Sequence, residues 1–198
     1  TYGGPYVLDI SAIFPDFDAD ETKSGNYDFT LTDRALEWMF KSGTKPFFRL
    51  GQSIEPWGKT YHVNPPKDYA KWARICEHVI RHYTEGWADG FTYGLKYWEV
   101  WNEPDFSSKK YTAEYAVLFA RTAKAVKAAD PKAKVAIFAL SDLDKPYAGI
   151  VLENLKELDI AVSGGSDEGK RGLLYRAAAA EGENFFFAVT GGAKYKCQ

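Results

Sequence analysis

Cysteine is scarce in this sequence. Only two occur among 198 residues, Cys76 inside an expected helix and Cys197 next to the last position, so no disulfide framework is suggested. Cys76 reads as a small buried apolar residue. Charge of one sign is missing as well. The 25 Lys and Arg against 27 Asp and Glu leave a formal net charge of -2, and no basic run exists to attract a polyanion, which argues against a nucleic-acid partner. No apolar run reaches the ~18 residues of a membrane span. The first residues, Thr1-Tyr2-Gly3-Gly4-Pro5, carry neither the basic nor the apolar region of a signal peptide, so a soluble protein of open compartment is expected. Internal repeats and low-complexity tracts are absent too.

What is present suits a globular fold. Apolar residues at 45% and charged residues at 26% are enough to bury a core. Aromatics make up 16%, with six Trp and thirteen Tyr; flat rings of this kind either pack in a core or receive the flat faces of sugars.

Periodicity orders the chain. Residues 5–14 read as a strand running into an acidic loop, Asp16-Phe17-Asp18-Ala19-Asp20-Glu21, taken as solvated. A helix opens near Thr30 with Leu31, Ala35, Trp38 and Met39 on one face, and Gly43 closes it. Residues 44–51 form a short strand. Behind Pro66 comes the clearest stripe in the sequence, Tyr69, Trp72, Ala73, Cys76, Val79, Ile80 and Tyr83. Residues 95–102 are a strand, followed by a helix presenting Tyr115, Leu118, Phe119, Thr122, Val126 and Ala129 and stopped at Asp130-Pro131. Residues 133–140 are again a strand. This alternation predicts parallel strands with helices packed outside. Beyond it the pattern changes: a helix over about 146–158, then short strands over 160–163, 172–179 and 184–190, read as a small antiparallel sheet.

The run Tyr97-Trp98-Glu99-Val100-Trp101-Asn102-Glu103-Pro104-Asp105 brings a carboxylate, an amide and indole rings to one strand end, where parallel α/β folds place their chemistry. Cleaving a glycoside requires a carboxylic acid to protonate the leaving oxygen. The retaining route adds a second carboxylate about 5 to 5.5 Å away that attacks the anomeric carbon. Glu103 suits the first role, and Asn102 suits a hydrogen bond to the neighbouring sugar hydroxyl. Taken alone, Asn102-Glu103-Pro104 reads equally as a strand exit that caps a loop.

The sequence resembles glycoside hydrolase family 39, the β-xylosidases and α-L-iduronidases, within the wider Asn-Glu-Pro clan. The resemblance is carried by Tyr6-Val7-Leu8-Asp9-Ile10, Ile13-Phe14-Pro15-Asp16-Phe17-Asp18-Ala19-Asp20, Tyr27-Asp28-Phe29-Thr30, Phe48-Arg49-Leu50-Gly51, Lys71-Trp72-Ala73-Arg74-Ile75-Cys76 and the run ending in Asp105. It implies an eight-stranded barrel, a retaining mechanism and Glu103 as general acid/base. It also implies a nucleophilic Glu on a late strand, for which no matching motif occurs here. A complete barrel takes ~250 residues. The expected fold is therefore α/β, a TIM-type (β/α) barrel incomplete at about four units over residues 1–144, with its second half missing from the middle, then a helix and accessory antiparallel strands over 145–198.

Other carboxylates do not replace the nucleophile easily. Glu99 lies four residues before Glu103, ~13 Å along an extended strand, and is expected inside the barrel where it needs a hydrogen-bonding partner. Glu55 reads as a solvated loop residue or a second carboxylate reaching the site. Asp9 suits a sugar hydroxyl. Arg49 either orients catalytic carboxylates and substrate or belongs to a buried ion pair. Trp57 and His62 either line a sugar pocket, as expected also of Trp101, or pack their loop. His78 and His82 have the spacing of a metal pair but are expected on the polar face of their helix, beside Arg74 and Arg81, with no third ligand. The acidic loop lacks the glycine and terminal glutamate of an EF-hand.

No cofactor or metal is therefore expected, and the partner is a carbohydrate, not nucleic acid or membrane. Two functional classes remain open at this point: a retaining glycosidase acting on a β-xyloside or related glycoside, and a non-catalytic carbohydrate-binding or structural remnant of such a barrel. Open barrel edges would make the chain pair with a second copy or a complementing chain.

Overall fold

The computed structural model describes residues 8–52, 65–101, 112–140, 160–164, 175–179 and 183–189. The helices are α1 (Ile10–Ile13), α2 (Thr30–Lys41), α3 (Tyr69–Thr84) and α4 (Thr112–Ala129). The strands are β1 (Phe47–Leu50), β2 (Tyr97–Val100), β3 (Lys134–Leu140), β4 (Ile160–Gly164), β5 (Tyr175–Ala179) and β6 (Glu183–Val189). They form one six-stranded sheet in the order β1-β2-β3-β6-β5-β4. β1, β2 and β3 are parallel neighbours, as the alternation of strands and helices predicts. β6 adds to β3 in parallel and carries the antiparallel pair β5 and β4 with it, so the late strands extend the same sheet. The expected helix over 146–158 lies outside the described residues, as does the expected strand's opening segment, residues 5–7.

α3 holds the layers together. Asp68 caps its amino terminus, accepting bonds from the Ala70 and Lys71 backbone N–H groups at 2.9 Å each, which satisfies two donors the first turn would leave open. Every residue of its expected stripe from Trp72 to Tyr83 is buried. Along the sheet, Phe48, Leu50, Trp98, Val100 and Val135 are buried in the same cluster, while Arg49 and Glu99 alternate to the other face. α4 packs beside α3 and buries the residues expected of it, Tyr115 through Ala129.

Four expectations are corrected. Residues 10–13 are a helical turn and not the end of a strand: Ile10, Ile13 and Phe14 satisfy helical spacing as well as an extended run, and the Phe14 N–H bonds the Ile10 carbonyl at 2.8 Å. The inner face of α2 carries Thr32 and Leu36, with Ala35 and Met39 of the expected stripe partly buried against the core, whereas Leu31 and Trp38 are 52% and 73% exposed. The cause is Asp33, which accepts a bond from Tyr83 Oη at 2.8 Å and faces His82 Nε2 at 3.0 Å, so this side of α2 must turn toward α3. His82 is buried, not on a polar face. Its Nδ1 donates to the Trp87 carbonyl at 2.7 Å, and its ring stacks on Phe29 with centroids 3.5 Å apart. With Nε2 against Asp33, neither ring nitrogen is open to a metal. Lastly, the acidic loop is not simply solvated. Glu21 is buried against Arg74 at 2.5 Å and Lys71 at 3.6 Å, and the Arg74 guanidinium holds its carboxyl below the usual range.

The chain after α3 folds back over His82. Phe91 N–H bonds the His82 carbonyl at 2.6 Å, and a Cβ on Gly90 would stand 2.2 Å from that oxygen and 2.6 Å from Nδ1. Gly90→Ala is therefore expected to destabilise the fold by about 1–3 kcal/mol. Leu31→Ala on the exposed side of α2 should stay within about 0.5 kcal/mol. Urea denaturation of the two variants beside the wild type checks both values.

Candidate active site at the strand exits

β1 and β2 end side by side, and the backbone leaving each strand is tied to the other. Trp101 N–H bonds the Leu50 carbonyl at 2.8 Å, and Ile10 N–H bonds the Gly51 carbonyl at 3.0 Å. Asp9, the residue before α1, is brought to the same edge with only 5% of its surface exposed. The carboxyl end of the sheet thus collects Asp9, Arg49, Glu99 and Trp101 from three separate stretches of sequence.

Arg49 and Glu99 are direct partners in the strand register. Arg49 Nε donates to Glu99 Oε2 at 2.5 Å, and the side chains are 18% and 4% exposed. This is the partner that a carboxylate on the inner face requires.

Trp101 has an unusual backbone. Its φ of 66° lies in the left-handed region, costly for a bulky side chain, and persists because both ends are held. The amide is bonded to Leu50, while the indole, 2% exposed, is lodged between Trp72 and Tyr115 at centroid distances of 5.1 and 5.4 Å. The ring thus belongs to the helix layer and forms part of the wall of a cavity. Gly51 makes this turn possible: a Cβ there would lie 3.2 Å from Trp101 Cα. Gly51 was not singled out in the sequence, although a glycine at a strand end is the usual mark of a close backbone approach.

Asn102 and Glu103 come directly after this turn and lie outside the described residues, as do Glu55, Trp57 and His62. Among the described residues, no group of three His, Cys, Asp or Glu side chains could hold a metal ion, and no helix is long and apolar enough to cross a membrane.

Set beside known proteins, residues 6–147 match the sequence model of glycosyl hydrolases family 39. A curated β-xylosidase from Geobacillus stearothermophilus is 30% identical over 151 residues, which are 67% of this chain and 28% of that protein. A solved glucosidase from Croceicoccus marinus is similar with a TM-score of 0.66 and 27% identity, over 77% of this chain and 34% of that one. A monomeric β-xylosidase from Caulobacter crescentus gives a TM-score of 0.50 at 23% identity over the same shares, a likeness of fold alone. The chain therefore spans between 28% and 34% of the length of these relatives.

Removing one member of the inner-face pair leaves a buried charge without its partner. Arg49→Leu is expected to cost about 3 kcal/mol, and the Arg49→Leu/Glu99→Leu double variant to recover most of that loss. Thermal unfolding of the single and double variants measures the difference.

Proposed function

The chain belongs to glycosyl hydrolases family 39, and we propose that it carries the acid/base side of a retaining glycosidase active site, with Glu103 as general acid/base and a β-xyloside or related glycoside as substrate. The observation that carries this reading is the fixed turn at Trp101. A strained residue bonded through its amide and wedged through its ring fixes the end of the described segment, and Asn102 and Glu103 are the next two residues in sequence.

In this mechanism Glu103 gives its proton to the glycosidic oxygen as the bond to the anomeric carbon breaks, while a second carboxylate attacks that carbon from the opposite face. Glu103 then takes a proton from the water that releases the sugar. Asn102 holds the adjacent sugar hydroxyl, a contact that strengthens as the oxocarbenium-like transition state forms. Asp9 and Arg49 belong to the same strand exits and are proposed to support substrate and carboxylate orientation, with Glu55, Trp57 and His62, which follow β1 in sequence, as further sugar contacts. Glu99 is not the nucleophile in this scheme, because Arg49 already engages it.

The sheet of β1, β2 and β3 with its outer helices is, on this proposal, part of a TIM-type barrel of about four βα units. Support comes from the face away from the helices. There Phe47 and Tyr97 stack at 5.9 Å while 44% and 36% exposed, as interior residues of an unclosed barrel would be. The missing strands and the nucleophile would come from a complementing chain, a second copy or the rest of a longer protein.

A second reading, a carbohydrate-binding remnant without catalysis, rests on the lack of a matching nucleophile motif in this sequence. Hydrolysis of an aryl β-xyloside separates the two. The purified chain should turn over, and Glu103→Gln should lower the rate by about 10²–10⁴-fold with the oligomeric state unchanged. A folded wild-type chain without turnover, as monomer or oligomer, rejects catalysis by this chain alone or with a second copy of itself.

A further inference from the structure

At the amino ends of β1 and β2, opposite the strand exits, lies a separate cavity of about 510 Å³. Its size falls in the ~300–1,000 Å³ range of small-molecule sites. Three chain segments form its wall: the end of α2 with Phe40, the turn into β1 with Lys45 and Pro46, and the turn into β2 with Leu95, Lys96 and Tyr97. Pro46 and Leu95 are buried, Phe40 is half-buried with its ring stacked on Tyr93 at 4.3 Å, and Tyr97 is 36% exposed.

Both lysines of this wall are exposed, and neither side chain has a hydrogen-bond or ion-pair partner among the described residues. Lysines at such a place commonly serve the carboxyl ends of helices, whose last carbonyls are open and carry partial negative charge. Here those carbonyls are already taken. In α2, Trp38, Phe40 and Met39 accept from the backbone N–H groups of Ser42, Gly43 and Thr44, each at 3.0 Å. In α3, Arg81, His82 and Tyr83 accept from those of Glu85, Phe91 and Tyr93 at 2.8, 2.6 and 2.9 Å. The carboxylates near these helix ends are engaged too, Glu37 by Lys41 at 2.8 Å and Glu85 by Arg81 at 2.7 Å. None of the described residues lining the cavity is acidic. Two cations thus flank an apolar, partly aromatic hollow, and no described residue neutralises them.

We propose that this cavity binds a small anion with a flat apolar body, the chemical class of an aromatic carboxylate. The body lies against Phe40, Leu95 and Tyr97, and the carboxylate is set between Lys45 and Lys96. An inorganic anion leaves the apolar wall unused, and a neutral ring leaves the ammonium groups without a counter-charge. Phe47 and Tyr97 are direct partners in the strand register, so Lys45 and Lys96 enter the sheet on neighbouring chains and one carboxylate reaches both. Four strand residues, ~13 Å of extended chain, separate this end of β2 from the turn at Trp101. The site therefore does not rest on the role of Glu103.

NMR titration of this chain with benzoate tests the site, with benzamide as a neutral ring of the same shape. At low salt, benzoate should bind about 5-fold or more tightly than benzamide and shift the backbone resonances of Lys45, Lys96 and Tyr97 while leaving that of Trp101 in place. Lys45→Gln and Lys96→Gln, both at exposed positions, should each reduce this preference by about 2–5-fold, the effect of one exposed ion pair, without weakening benzamide. Raising the salt should reduce it in the wild type as well. Tyr97→Ala should weaken both probes alike, because it removes apolar wall and no charge. Equal affinity of a folded wild type for the two probes, no shift at these residues up to about 10 mM benzoate, or a preference that survives both lysine variants overturns the proposal. Hydrolysis measured on the same samples keeps the two sites apart: the lysine variants should leave the rate on an aryl β-xyloside unchanged, and Glu103→Gln should leave benzoate binding unchanged. Failure of either reading then leaves the other as it stands.

Discussion

The structure depends on the apolar face of α3. Trp72, Cys76, Val79, Ile80 and Tyr83 have almost no exposed surface, and nearly everything else is located by contact with this one helix. Phe48 of β1 lies 6.1 Å from Tyr83, Trp101 at the end of β2 lies 5.1 Å from Trp72, and α4 runs alongside. Burying a large side chain of this kind stabilises by roughly 1.5–3 kcal/mol, so the face as a whole outweighs any single polar contact in the fold. Polar groups then set details that apolar packing leaves open: Asp33 fixes the rotation of α2 against α3, and Glu21 anchors the acidic loop on Arg74 and Lys71.

The candidate site inherits its geometry from the same helix. Parallel strands end together, and the cross-strand bonds from Trp101 to Leu50 and from Ile10 to Gly51 bind three chain segments at one edge. The Trp101 ring, held by Trp72 and Tyr115, keeps its backbone in a conformation that such a residue does not adopt alone. Packing energy in the helix layer thus maintains strain at the strand exit, one residue before Asn102. The adjoining cavity uses the same two tryptophans, so its floor and the support of the strand exit are one structure.

How far the sequence could be read differs with the range of the interaction. α3 and α4 were legible because their apolar residues recur with a helical period over four turns or more, and a stripe that long points to one buried side. β1, β2 and β3 were legible from short apolar runs between helices. The face of α2 was legible only in part: Ala35 and Met39 of the expected stripe pack against the core whereas Leu31 and Trp38 do not, and the choice rests with His82 and Tyr83, some fifty positions later. His82 was misplaced for the reciprocal reason: its partners, Asp33 and the Trp87 carbonyl, come from other elements.

The sequence by itself determined the order of strands and helices from α2 to β3, the parallel start of the sheet and the family. All of these are carried by neighbours in the chain, through periodicity or a contiguous motif. Only the tertiary structure decided that Arg49 faces Glu99, that Gly51 admits the backbone of Trp101, that β6 joins β3 in parallel, and that Trp72 is left with an unpaired N–H beside a cavity. These are contacts between residues about fifty positions apart, or a donor deprived of water by several elements at once. Nothing in the local pattern of a chain specifies which distant surface will meet it until the core has formed.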